Sequence, residues 1–151
     1  MDKREKATEL FKSGYNCAQS VVISFEDEIG KSREELAKLS YCLGGGIGRL
    51  REVCGAVSGM ALVLGMLEAE DRPGDDAFKK EMYAKTQKLA FAFKEKHGTI
   101  ICRELLGISD EHSDPTPDAR TPQYFASRPC PDIIGDAAEI LEEYFAGKLN
   151  I

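Results

Sequence analysis

Residues 51–69, Arg51-Glu52-Val53-Cys54-Gly55-Ala56-Val57-Ser58-Gly59-Met60-Ala61-Leu62-Val63-Leu64-Gly65-Met66-Leu67-Glu68-Ala69, decide the fold. From Val53 to Leu67 the run carries no charge for 15 residues. Val53, Val57, Met60, Leu64 and Leu67 recur every three or four positions, the period of a helix with one buried stripe. The run is broken by Gly55, Ser58, Gly59 and Gly65 and falls short of the roughly 20 apolar residues that cross a bilayer. It therefore reads as a helix, starting near Arg51, at the centre of a water-soluble domain. Gly55 with Gly59, and Ala61 with Gly65, fall at i,i+4 and leave two shallow strips where another backbone can come close.

Working outward, helical spacing recurs in nearly every segment and strict alternation does not. A first helix carries Ala7, Leu10 and Phe11 on one face and stops at Gly14. Asn16 with Gln19 three residues on is a capping-box pattern, opening a helix that buries Ala18, Val21, Val22, Phe25 and Ile29 before Gly30. Ser32 and Glu35 repeat that signature for a helix through Leu36, Leu39 and Leu43, ended by Gly44-Gly45-Gly46. Beyond the turn Arg72-Pro73-Gly74-Asp75, a long amphipathic helix turns Phe78, Met82, Leu89 and Phe93 inward and runs to His97 and Gly98. Thr99 caps a short helix through Leu106, and a last helix starts at Pro131, where proline suits the first turn. The expectation is all-α: one domain over residues 1–151, a bundle of about six helices around the central apolar one. Residues 107–129 form a long irregular loop with Pro115, Pro117, Pro122 and Pro129.

Composition narrows the function. The chain has 151 residues, 20 Lys plus Arg against 26 Asp plus Glu, a formal net charge of −6 and 42% hydrophobic residues. That suits one globular domain and offers no basic field to a phosphate backbone, so nucleic acid is excluded as a partner. The charged start Met1-Asp2-Lys3-Arg4-Glu5-Lys6 leads into no apolar h-region, so a cytoplasmic, not membrane-embedded protein is expected. There, five cysteines are expected as thiols, metal ligands or redox groups and not as structural disulfides.

Four of the five fall at helix starts: Cys17 just after Asn16, Cys54 one turn into the central helix, Cys102 in the turn after Thr99, and Cys130 as the cap before Pro131. Unpaired amides and the dipole at such positions favour thiolate over thiol. Arg51, Arg103 and Arg128, each within three residues of a cysteine, add to that preference. Cys42 lies at a helix C-terminus, where the dipole opposes a thiolate, and is expected to be packing. Spacings of 37, 48 and 28 residues contain no C-x-x-C, which argues against a thioredoxin dithiol, zinc knuckles and ferredoxin loops. The fold has to bring the four together.

Other candidates are weaker. Gly44-Gly45-Gly46-Ile47-Gly48-Arg49 lacks the G-K-[ST] ending of a phosphate loop; it reads as a tight turn between helices, or as a ring of amides facing an anion or a cluster. His97 and His112 are the only histidines, the first complementing a helix C-terminus and the second in the acidic stretch of Asp110, Glu111, Asp114 and Asp118. Ser58 and Ser127 have no base placed by any motif, and no Glu-x-x-His pair points to a di-iron bundle.

Asn16-Cys17-Ala18-Gln19, Gly44-Gly45-Gly46, Cys54-Gly55-Ala56-Val57-Ser58-Gly59, Cys102-Arg103-Glu104-Leu105-Leu106-Gly107 and Cys130 together resemble the C-GCAxxG-C-C family of redox-active proteins. The resemblance covers almost the whole chain. It implies a redox role, genes near transporters, family cysteines on Cys17, Cys54, Cys102 and Cys130, and family glycines on Gly55 and Gly59; Cys42 has no counterpart. The leading expectation is a protein whose four cysteines bind an iron-sulfur cluster or other thiophilic metal and transfer electrons, with Gly45, Gly46, Gly55 and Gly59 beside the cofactor. A metal-free thiol-disulfide protein is the alternative, and a metal-binding module for a transporter or sensor partner the third. The electron donor or acceptor stays unnamed, and a homodimer stays open.

Overall fold

Asn16 starts the element around which the rest packs. Its side chain accepts from the Gln19 amide at 2.9 Å while the Gln19 side chain accepts from the Asn16 amide at 3.0 Å, closing the expected capping box. The computed structural model describes residues 1–108 and 114–149, so the expectations for Asp110, Glu111 and His112 lie outside the described residues. Among these residues are nine helices, six of them seven residues or longer, and no strand. They are α1 (Lys3–Lys12), α2 (Cys17–Ser24), α3 (Glu26–Ile29), α4 (Arg33–Ser40), α5 (Gly55–Glu68), α6 (Asp76–His97), α7 (Cys102–Leu106), α8 (Pro122–Ser127) and α9 (Cys130–Phe145). The all-α expectation holds.

The described residues form a single body in which α1 lies on α9 and α2, α2 also meets α4, α5 and α9, and α5 meets α6 and α9. The core gathers Val21, Val22 and Ile23 of α2, Met60, Val63 and Leu64 of α5, Leu89 and Phe93 of α6, and Ile134, Ile140 and Leu141 of α9. Helix α2 shares the central place with the apolar α5, since every residue from Ala18 to Ser24 is buried. Its polar side chains are satisfied within that core: Ser20 and Ser24 hydroxyls donate to the carbonyls of Asn16 and Val21 at 2.7 and 2.6 Å, and the Gln19 amide donates to the Ala37 carbonyl at 3.0 Å.

Of the two small-residue strips, only Gly55–Gly59 is used. A Cβ at Gly59 would lie 3.0 Å from Val21 Cβ and 3.1 Å from the Ala18 carbonyl, whereas one at Gly65 would meet nothing within 4 Å. Small residues at i,i+4 permit close approach without compelling it.

Several boundaries move for local reasons. The helix expected from Asn16 to Gly30 breaks at Phe25 (φ −105°, ψ 21°), whose ring packs 6.0 Å from that of Phe145. The central helix starts at Gly55 and not at Arg51, because Arg49 and Arg51 carry φ of 66° and 61°. Thr99 does not cap α7; its hydroxyl accepts from the Ile101 amide at 3.1 Å, one residue before the helix. Within residues 107–129, Thr121 caps α8, with Pro122 opening it. Cys130 is the first residue of α9 and not its cap. His97 Nε2 lies 2.9 Å from Asp136 Oδ2, so it joins α6 to α9 in addition to sitting at a helix end.

Candidate cysteine site

Four helix starts converge. Cys17 opens α2, Cys54 is the cap residue of α5, Cys102 opens α7 and Cys130 opens α9. All four line one cavity of about 140 Å³.

Backbone geometry explains the convergence. The segments leading into α5 and α7 pair at one antiparallel bridge, Val53 with Ile101. The Cys54 amide donates to the Ile100 carbonyl at 2.8 Å and the Cys102 amide to the Glu52 carbonyl at 2.6 Å, which fixes the two cysteines in register. Gly55 admits Cys17: a Cβ there would overlap Cys17 Sγ and stand 2.9 Å from the Leu43 carbonyl. Gly46 backs Cys102 in the same way: a Cβ there would stand 2.8 Å from Cys102 Cβ.

The glycine-rich turn is left-handed from Gly45 to Arg49. Gly45, Gly46, Ile47, Gly48 and Arg49 have φ of 68°, 71°, 65°, 55° and 66°, and Arg51 follows at 61°. For each non-glycine residue this costs about 1–2 kcal/mol. It is held by bonds from the Gly48, Arg51 and Glu52 amides to the carbonyls of Cys42, Gly45 and Gly46 at 2.9, 3.1 and 3.0 Å. The stretch is a tight turn as expected, and of the alternative ring of amides, Gly45 donates to Cys17 Sγ. Gly45 and Gly55 line the cavity; Gly46 lies behind Cys102, and Gly59 packs on α2 away from the site.

The expected thiolates are not what this setting favours. Burial raises the pKa of Cys17, with neighbouring Cys102 adding, against amide hydrogen bonds from Gly45, Ala18 and Cys17 itself. Burial, then Cys17, raises that of Cys54 against the Ala56 and Val57 amides. Burial again leads for Cys130, pushed up to about 11 with Cys17 and Cys102 adding and Arg128 and Arg51 opposing. Helix-start amides do reach sulfur, but desolvation of the charged form outweighs them. At neutral pH these three are thiols.

Of the three arginines singled out by the sequence, Arg51 is buried and donates from Nη1 to Cys102 Sγ at 3.6 Å, and Arg128 lines the wall. Arg103 instead bonds the Arg51 carbonyl and Glu52 carboxylate at 3.2 and 2.9 Å, bracing the strained turn. Arg49 and Arg120 also line the cavity, and periodicity gave no signal for either. They pin residues 114–129 across it as a strap. Arg49 donates to the Asp114 carbonyl at 3.0 Å, Arg128 to Asp118 at 2.5 Å, and Arg120 to the carbonyls of Phe11 and Tyr15.

Cys42 lies outside the cavity, as expected, yet it is exposed and so does not pack; the 3₁₀ turn Tyr41–Leu43 carries it outward. Among the described residues, no three Cys, His, Asp or Glu side chains stand close enough to share a single metal ion. No helix there is long and apolar enough to cross a membrane.

No curated protein and no solved structure matches the chain. A family model described as "Putative redox-active protein (C_GCAxxG_C_C)" matches residues 15–144. With that match spanning all four helix-start cysteines, the chain belongs to the C-GCAxxG-C-C family.

Proposed function

We propose that Cys17, Cys54, Cys102 and Cys130 ligate an iron-sulfur cluster and that the protein transfers electrons through it. The observation carrying this reading is that four cysteines from four separate helix starts line one cavity of about 140 Å³. All four residues line the cavity, although among the described residues no three donors converge on a single ion. When bound, such a cluster supplies a one-electron couple. The chain's own contribution is preparation. Cys17, Cys54 and Cys130 must each shed a proton that burial favours, and Arg51, Arg128 and the amides of Gly45, Ala56 and Val57 offset the negative charge that results. Amide and guanidinium hydrogen bonds to sulfur also tune a cluster's potential.

One observation favours a second reading. Cys17 Sγ packs over Gly55 beside Cys54, so these two form the natural pair for a metal-free couple in which two thiols become a disulfide, releasing two protons and two electrons. Anaerobic reconstitution of the full chain with iron and sulfide separates the readings. Wild type gains visible absorption and bound iron, and Cys54→Ser gains far less. If wild type binds no iron and titrates as a reversible two-electron thiol couple, the disulfide reading replaces the cluster.

A further inference from the structure

The cysteine cavity carries more cations than its walls can balance. Arg49, Arg51, Arg120 and Arg128 line it, and Asp118 is the one carboxylate among the described lining residues, in a chain of formal net charge −6. Asp118 is already shared between Arg128 at 2.5 Å and Arg49 at 3.5 Å. The acceptors of Arg120 are neutral: the carbonyls of Phe11 and Tyr15, with the guanidinium stacked 4.1 Å above the Phe11 ring. Arg51 is only 5% exposed, donates to Cys102 Sγ, and has a buried Nε with no hydrogen-bond partner among the described residues. Its φ of 61° belongs to the strained turn, so the backbone itself is bent to the position from which this side chain enters the cavity. A guanidinium cannot escape burial by losing its proton, and a desolvated cation calls for an anion within reach.

We infer that the cavity binds a small oxyanion of sulfate or phosphate size, with Arg51 and Arg120 as its counter-charges and the cysteine sulfurs alongside. The planar guanidinium fork matches two oxygens of such a group, and a volume of about 140 Å³ suits one. A volume of this size does not hold the oxyanion and a cluster together, so the site belongs to the iron-free protein, and binding needs no iron.

The test is calorimetric titration of the reduced, iron-free full chain with inorganic phosphate, sulfate and phenyl phosphate, against chloride at equal ionic strength. Phosphate or sulfate binds saturably and chloride does not. Arg51→Met and Arg120→Gln each weaken binding at least tenfold, while Lys79→Gln, an exposed cation of α6, leaves it unchanged. Should Arg51→Met fail to fold, Arg120→Gln decides. Phenyl phosphate binding as tightly as phosphate assigns the site to the end group of a larger molecule; binding of the inorganic ions alone assigns it to the free ion. Absence of saturable binding, or binding indifferent to both arginine changes, overturns the inference. Oxyanion binding lost with iron uptake intact sinks this inference and spares the cluster, and the converse result sinks the cluster and spares the oxyanion site.

Discussion

The contact between α2 and α5 and the turn at Gly44–Cys54 that leads into α5 lie side by side and are built on opposite terms. In the first, small residues let two helices touch, every residue from Ala18 to Ser24 is buried, and side-chain hydroxyls bond back to their own helix. In the second, six residues hold positive φ, three of them not glycine, and a buried arginine lacks a carboxylate partner among the described residues. The contact is where sequence and burial agree. The turn is where they conflict, and such conflict persists only where surrounding bonds over-determine the backbone. Here those bonds run from the Arg49, Leu50, Arg51 and Glu52 amides to the carbonyls of Gly44, Ile47, Gly45 and Gly46, joined by the Gly48–Cys42 link and the bridge to Ile101.

The largest expected effect falls on the contact. Met60→Ala removes a side chain 1% exposed in the core and costs about 2–5 kcal/mol by urea unfolding. Iron uptake at temperatures where the variant is folded stays at the wild-type level; if it falls in step with stability, contact and site are not separate. Alkaline pH probes the other side. Because the folded-state pKa of Cys130 is raised from 9.0 to about 11, its protonated form stabilises the fold fully below about pH 9, and that stability drains away as pH rises through about 11. Urea midpoints measured from pH 8 to 11 decline for wild type and decline less for Cys130→Ser, whereas equal declines would remove Cys130 from the buried set. The smallest effect has the opposite sign. Ile47 is 43% exposed at φ 65°, so Ile47→Gly relieves left-handed strain and stabilises by about 0.5–1 kcal/mol after the entropy of glycine is counted. A destabilised variant would mean that the isoleucine side chain, and not the surrounding bonds, holds the turn.

Most of the bundle was legible because its signals are local. The Asn16–Gln19 capping box, the left-handed glycines after α3 and α6, and the apolar stripe of α5 each act within a few residues. The same locality made the helix-start cysteines visible. What stayed hidden depends on distant chain. The neutrality of Cys17 and Cys54 comes from burial under other elements, which no neighbour in sequence reveals. Arg120 sits in an aperiodic proline-rich segment, and its place at the cavity is set by carbonyls more than a hundred residues away. Ile47 and Arg49 occupy a region that their residue types disfavour, so propensity pointed elsewhere. Cys42 was misjudged for the simpler reason that a single 3₁₀ turn can rotate a side chain from core to surface.

The Val53–Ile101 bridge has a mechanical consequence. Its hydrogen bonds run from the Cys54 amide to the Ile100 carbonyl and from the Cys102 amide to the Glu52 carbonyl, and neither passes through the strap at 114–129. These two sulfurs are thus yoked: a displacement of one segment along its axis drags the other by the same amount. Cys130 has no such coupling, reaching the cavity only through α9 and the strap that precedes it. Severing the strap by proteolysis would leave one half of the cysteine set in register and cut the fourth member loose from the chain that delivers it.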